Sequence, residues 1–456
     1  MAIETINPAT GNVIKSYDEM TSQVVDSIIN DTYNDYLQWR EVSFLERSNY
    51  LHRVADLLRK NKKTYAELMA EEMGKPIAAG EAEVEKCAWV CEYYADHAEE
   101  LLKPRIIKTE MKKSYVTYQP SGVIFAIMPW NFPMWQVFRF CAPNLMAGHG
   151  CLLKHAPIST GTALAIEKLI RDAGLPKNIF RTLIIDNETA ATVIANPKVS
   201  AVTLTGSERA GCAVGSAAGK ALKKVVLELG GNDPYLILKD ADLDSAVENC
   251  VTSRLNNTGQ VCIAAKRMIV VDPVYNSFKE KVMQKIKSVK MGDPMQADTT
   301  MGPMAREDLR TEVHKQVQDS IQKGATCETG GEIPTGKGFY YPPTVLTNVK
   351  PGMPAFDEEI FGPVIALIRA NNEEEAIALA NHTKYGLAAA VFTKDLERGE
   401  TIAREKIHAG SCAVNTYVKS DPRLPFGGIK NSGYGRELAA EGIQAFMNVK
   451  TISVAS

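Results

Sequence analysis

Long apolar runs are missing from this chain. None reaches the roughly 18 residues that a membrane span needs. A surplus of one charge is missing too. With 52 Lys and Arg against 54 Asp and Glu, the formal net charge is -2, which argues against nucleic acid or an anionic membrane as partner. Histidine is scarce, with seven residues, all isolated. No HExxH and no Cys/His cluster occurs, so no metal site is expected. The nine cysteines are odd in number and never spaced CxxC. They read as reduced thiols of a cytosolic protein, with Cys87 and Cys91 packing one helical turn apart. The start, Met1-Ala2-Ile3-Glu4-Thr5-Ile6-Asn7-Pro8, lacks a basic region and an apolar core, so a signal peptide is not expected. Internal repeats and low-complexity linkers are also absent.

What is present is ordinary globular composition: 45% hydrophobic and 23% charged residues. At 456 residues the chain is too long for one compact core, and two or three domains are expected. The first hundred residues read mostly helical. Ser43-Phe44-Leu45-Glu46 has the form of a capping box, opening a helix with Leu51, Val54 and Leu58 on one face. A break is expected at Gly74-Lys75-Pro76. The alternation of Lys113 to Tyr118 predicts a half-exposed strand, and the apolar run Val123 to Met128 a strand buried on both faces. Strands and helices then alternate. Strands are expected at 151–154, 181–185, 199–205 and 225–229, with helices at 160–172, near 188–195 and from Ser207. A second alternating region has strands near 235–238, 268–272, 364–368, 387–392 and 411–415, and 446–454 reads as a late strand. This pattern predicts α/β architecture with parallel sheets covered by helices.

Three segments carry chemistry. Gly206-Ser207-Glu208-Arg209-Ala210-Gly211 follows a strand and opens a helix, reading as a phosphate cradle or as a glycine-permitted turn. Cys212 follows, so the Lys-Ser/Thr of a nucleotide-triphosphatase loop is absent. Cys262 follows the polar, turn-prone run Asn256-Asn257-Thr258-Gly259-Gln260, which suits a thiol at the mouth of a site better than one in a core. Glu228 closes an apolar strand before Gly230-Gly231 and reads as a base or as an ion-pair partner. Asn131, in Pro129-Trp130-Asn131-Phe132-Pro133, reads as a helix cap or as an amide donor to an oxyanion. A thiol, a base and an oxyanion donor are the parts that covalent chemistry on a carbonyl requires.

In this order these motifs resemble the aldehyde dehydrogenase superfamily over essentially the whole chain. The resemblance extends to Asn7-Pro8-Ala9-Thr10-Gly11, Glu358-Glu359-Ile360-Phe361-Gly362-Pro363 and Pro425-Phe426-Gly427-Gly428-Ile429-Lys430. It implies a Rossmann-like dinucleotide-binding domain (1–102 and 121–229), an α/β catalytic domain (230–430) and a small β oligomerisation extension (103–120 and 431–456). It implies Cys262 as nucleophile, Asn131 and the Cys262 N–H as oxyanion donors, and Glu228 as the base that activates water. Cofactor contacts are implied at Trp130, Lys154, Pro157, Gly206, Ser207, Leu229, Glu359 and Phe361. NAD-specific members commonly carry Glu three residues after the lysine. Pro157 stands there, which implies NAD with NADP possible.

The resemblance is nearest to succinate-semialdehyde dehydrogenases, of the enterobacterial NAD(P)-dependent type. In those, an arginine holds the distal carboxylate at the position of Arg139, with a serine at that of Ser420. A second arginine common in those enzymes is here Asn256, and Arg423 or Lys419 is a candidate replacement. The expectation is a cytoplasmic homodimer or homotetramer oxidising succinate semialdehyde to succinate. The alternative is a broad-specificity enzyme acting on other semialdehydes or on uncharged aldehydes.

Overall fold

A computed structural model describes residues 2–455. The helical start is preceded by an element the sequence reading missed. Ala2–Ile6 and Val13–Asp18 form an antiparallel hairpin. Its two strands are short and mostly exposed, so they lack the apolar run that marks a buried strand. Helices then follow as expected. Ser43 caps Phe44–Lys60, its side chain accepting from Glu46 N, and Leu51, Val54 and Leu58 are buried. Lys62–Met73 ends on Gly74 in the left-handed conformation, and Ile77–Leu101 begins after Pro76.

Two sheets organise the rest. The first has the spatial order Gly433–Tyr434, Lys224–Glu228, Val199–Thr205, Val123–Met128, Gly150–His155, Phe180–Thr182. The last five are parallel, and Gly433–Tyr434 joins the Glu228 strand antiparallel. The second has the order Thr326–Thr329, Thr344–Thr347, Val364–Ala370, Arg267–Val271, Pro234–Ile237, Ala388–Phe392, Ser411–Val414. It is parallel except at its Thr326–Thr329 edge. The chain passes from the first sheet to the second through Leu229–Asp233. Strands 326–329 and 344–347 went unread from sequence. The predicted strand 181–185 is shorter, pairing only over Phe180–Thr182. A third, three-stranded ribbon combines Arg105–Ile107, Lys113–Gln119 and Asn448–Val454. The stretch after 430 therefore divides, Gly433–Tyr434 going to the first sheet and Asn448–Val454 to the ribbon. No helix among the described residues is long and apolar enough to cross a membrane.

Two glycines make opposite use of space. A Cβ at Gly80 would lie 3.0 Å from Ala66 Cα, where two helices cross, whereas one at Gly219 would meet nothing within 4 Å. Gly80→Val is expected to destabilise by about 1–3 kcal/mol through overpacking, and Gly219→Ala to stabilise by up to about 1 kcal/mol through chain entropy. Denaturant midpoints of the two variants, moving in opposite directions, check this.

Candidate active site

Cys262 follows a backbone that runs through three left-handed residues: Asn257 (φ 49°), Thr258 (φ 57°) and Gly259 (φ 74°). Asparagine tolerates this region and glycine prefers it, but a β-branched threonine does not. Side chains hold the turn. Thr258 Oγ1 donates to Gly302 O at 3.0 Å, and Gln260 bonds at both ends, Nε2 to Asn257 O (3.1 Å) and Oε1 from Ala305 N (3.0 Å). At Gly259 a Cβ would fall 2.1 Å from Gly362 O, so only glycine fits. Cys262 emerges half-buried, lining a cleft of about 900 Å³. Burial pushes its thiol up to about 11, while Lys266 and then Arg139 pull it down. Lys266 Nζ donates to Val261 O (3.0 Å) and to Cys262 O, and pairs with Glu359 at 3.2 Å.

Asn131 is brought to the same place. Its Nδ2 donates to Gln260 O at 2.9 Å, leaving a second N–H on the amide. Its carbonyl accepts from Lys75 Nζ (2.9 Å) and Asn257 Nδ2 (2.8 Å). Lys75 is fully buried, ion-paired to Glu83 and stacked over Phe132 at 3.8 Å. Glu83 Oε1 in turn accepts from Met134 N and Trp135 N, both at 2.9 Å, tying the Asn131 segment to the Ile77–Leu101 helix. His155 completes the clamp. Burial holds it neutral, its pKa down to about 4. Its Nε2 lies 2.9 Å from Pro133 O and its Nδ1 accepts from Ala156 N, so the Nε2–H tautomer donates.

Glu228 ends its strand with the carboxylate buried against Gly427, where a Cβ would sit 2.7 Å from Oε1. Neither oxygen has a hydrogen-bond partner among the described residues. Burial first, and then the Glu437 carboxylate, raise its pKa well above the usual carboxylate range, against Arg139 and Arg436.

The cofactor candidates gather at the carboxyl ends of the first sheet. The Val123–Met128 strand has Gly150–His155 on one side and Val199–Thr205 on the other. A crevice opens at such a switch point, where open α/β sheets take nucleotides. Trp130, Lys154 and Gly206 all lie at strand ends there. Ser207 caps Glu208–Lys220, accepting from Ala210 N at 3.3 Å, and the free N–H groups of that helix end suit a pyrophosphate. A Cβ at Gly211 would lie 2.6 Å from Leu229, so glycine there lets the helix pack against that side chain. Lys154 is buried enough that its pKa is lowered. Phe361 meets Trp130 edge-on, with ring centroids 6.0 Å apart, and Glu359 accepts from Gly231 N at 3.1 Å. Pro157 opens a short 3-10 turn and offers no donor to a ribose. This cradle fits a dinucleotide. No cluster of metal-ligating residues occurs among the described residues.

The cleft at Cys262 is lined by Phe132, Trp135, Val261 and Phe426, and by the cations Lys75, Lys86, Arg139 and Lys419. Arg139 reaches this wall, but its charge is already matched. It pairs with Glu437 (Nε–Oε2 2.5 Å), donates to Thr205 Oγ1 at 3.1 Å and stacks over Phe426. The resemblance implied that Arg139 holds a substrate carboxylate, yet the chain itself supplies an anion to this guanidinium. Ser420 also lines the cleft and accepts from Lys86 Nζ at 2.7 Å. Asn256 is a lining residue too. Of the two candidate replacements, Lys419 faces the cleft, whereas Arg423 is turned outward and bound to Asp421. Sequence reasoning missed Lys75, Glu83, Lys86, Lys266 and Glu437. Only Lys266, four residues after Cys262, stood close enough to a recognised motif to be found.

The family model described as "Aldehyde dehydrogenase family" matches residues 1–452. A probable succinate-semialdehyde dehydrogenase [NADP(+)] of Synechocystis sp. is 45% identical over 455 residues, covering 100% of both chains. The succinate semialdehyde dehydrogenase [NAD(P)+] Sad of Escherichia coli is 44% identical, covering 98% of this chain and 97% of that one. The solved succinic semialdehyde dehydrogenase of Streptococcus pyogenes, in complex with NADP+, superposes with a TM-score of 0.98 at 39% identity, over 100% of both chains.

Because the thiolate is the reactive form and the pKa lies near 11, alkylation of Cys262 in the free protein is expected to rise about tenfold per pH unit from pH 7 to 10. Lys266→Met removes the largest lowering influence and is expected to slow alkylation at each pH. Iodoacetamide labelling followed by peptide mass analysis separates Cys262 from the exposed Cys212 and Cys412.

Proposed function

This chain belongs to the aldehyde dehydrogenase family, and from that premise we propose that it oxidises succinate semialdehyde to succinate with NAD(P). The observation that carries the substrate is the surplus of cations lining the cleft that Cys262 enters, Lys75, Lys86, Arg139 and Lys419 against Glu83 and Asp421. A four-carbon aldehyde ending in a carboxylate matches it in sign. The names borne by the relatives support the same substrate and a cofactor of either kind.

In this reading Cys262 Sγ gives up its proton to solvent and attacks the aldehyde carbon as the thiolate, and the second N–H of Asn131 and the Cys262 N–H receive the oxyanion. The dinucleotide, when bound, supplies the hydride acceptor that turns the thiohemiacetal into a thioester. Lys154, the Ser207 helix end, Trp130, Phe361, Leu229 and Glu359 hold it, with Pro157 setting no carboxylate against a 2′-phosphate. Glu228 then takes a proton from water, which attacks the thioester carbon and releases succinate and the Cys262 thiol. Its raised pKa means that the resting carboxyl tends to carry a proton and must lose it before it can act. Activity is therefore expected to rise with pH across a range above that of ordinary carboxylates.

The apolar share of the wall, Phe132, Trp135, Val261 and Phe426, favours a broader reading in which uncharged aldehydes serve as well. Comparing kcat/KM for succinate semialdehyde with that for butanal decides between them. A ratio of about a hundred or more supports the semialdehyde reading, and a ratio near one replaces it. Glu228→Gln is expected to leave a burst of about one reduced cofactor per Cys262 and to lower steady turnover by about 10²–10⁴-fold. Loss of the burst together with turnover would move Glu228 to the attack step.

We assign the ribbon to subunit assembly, giving a homodimer or homotetramer, because Ile106, Ile107, Val449 and Val454 leave apolar surface exposed on its strands. A chain ending at Met447 is expected to run as a monomer in light scattering, and retention of the parent mass would refute the assignment.

A further inference from the structure

Among the cations of the cleft, Lys86 alone combines partial burial, a fixed position and no acid partner. It stands on the Ile77–Leu101 helix with its ammonium 4.1 Å from the centre of the Trp135 ring and 2.7 Å from Ser420 Oγ. Lys75 is engaged by Glu83 and Asn131, Arg139 by Glu437 and Thr205, and Lys419 lies over Tyr417. Among the described residues no carboxylate comes within ion-pairing distance of Lys86. The nearest acids to influence it are Glu83, on its own helix, and Asp421, which is bound to Arg423. A half-buried ammonium with one neutral partner is incompletely satisfied, and two of its three N–H bonds remain to be used.

Resting on the semialdehyde reading above, we propose that Lys86, not Arg139, is the group that holds the substrate's distal carboxylate, with Ser420 as its companion donor. The carboxylate takes a charge-assisted bond from the Lys86 ammonium and a second from the Ser420 hydroxyl, which already accepts from Lys86 and so has its own hydrogen free. Trp135 forms the floor beneath the cation. Arg139 then serves the interior, matching Glu437 beside Glu228, and contributes to the cleft only at a distance.

The two assignments differ in pH dependence. A guanidinium keeps its charge over the working range, whereas burial and then Arg139 bring Lys86 down to about 8, against Cys87 and Glu83 on its own helix and Asp421 from the opposite loop. The protonated amine is the binding form. The preference for the charged substrate should therefore be full below pH 8 and decline above it.

The test is kcat/KM for succinate semialdehyde divided by that for butanal, from pH 6.5 to 9.5, in the wild type, Lys86→Met, Lys86→Gln and Arg139→Met. The ratio cancels effects on Cys262 and Glu228 common to both substrates. Lys86→Met is expected to lower it about 100-fold, equivalent to about 2.7 kcal/mol, and to abolish its decline above pH 8. Arg139→Met is expected to depress both substrates together. Lys86→Gln, which keeps a donor toward Ser420 without the charge, gives the same reading if the methionine variant fails to fold by thermal denaturation. A high wild-type ratio that survives loss of Lys86, or that is lost only with Arg139, overturns the assignment and leaves the substrate reading intact. A wild-type ratio near one overturns both.

Discussion

The left-handed turn Asn257–Gly259 is the constraint on which the candidate site depends. Holding non-glycine residues there costs about 1–3 kcal/mol each, and the cost is met only because the surroundings fix the turn from several sides. Gly259 lies against the Gly362 carbonyl, Thr258 binds Gly302, and Gln260 binds Asn257 and Ala305. Asn257 reaches the Asn131 carbonyl from the same turn, while the Asn131 amide reaches Gln260 O. The proposed nucleophile and oxyanion donor are thus registered through two short bonds across the gap between the sheets. A relaxed turn would release both at once.

Around that turn the charges are arranged so that nothing reactive is ionised early. Desolvation holds the Cys262 thiol and the Glu228 carboxyl in their neutral forms, and cations oppose it only in part. The opposing groups are themselves occupied, Lys266 with Glu359 and Arg139 with Glu437. A neutral resting site binds an anionic substrate without meeting a second negative charge.

Much of this was legible in the sequence, and the reason is local. Asn131, Gly206 and Ser207 follow the ends of strands, Glu228 closes one, and Cys262 lies in a turn ahead of one, where the residue types that chemistry needs also break the pattern of burial. Most of the parallel strands were legible because their apolar runs are continuous. The N-terminal hairpin and the strands 326–329 and 344–347 were not, being short, and those of the hairpin are exposed besides. Lys75, Glu83, Lys86 and Glu437 were hidden for a different reason. Three lie in or beside an Ala- and Glu-rich helical stretch where charged residues ordinarily mark a solvated face, and sequence periodicity does not say which face another element will cover. Only the packing of Trp135, Phe132 and Ser420 over that helix turns these charges inward.

That division bears on Arg139. Its burial made it the natural anion receptor as long as no internal anion was known, because a buried guanidinium demands one. Glu437 answers the demand from 298 positions further along the chain, a distance no spacing argument bridges. The same principle, applied to the folded chain, moves the demand to Lys86, the half-buried cation of the cleft that the described residues leave without an acid. Lys86 sits on a helix anchored through the Lys75–Glu83 pair to the Asn131 segment. The group that measures the far end of the substrate is then rigidly placed relative to the groups that meet its carbonyl. A selector and a nucleophile joined through one buried ion pair can discriminate chain length as well as charge, since a carboxylate one carbon too near or too far cannot satisfy both ends together.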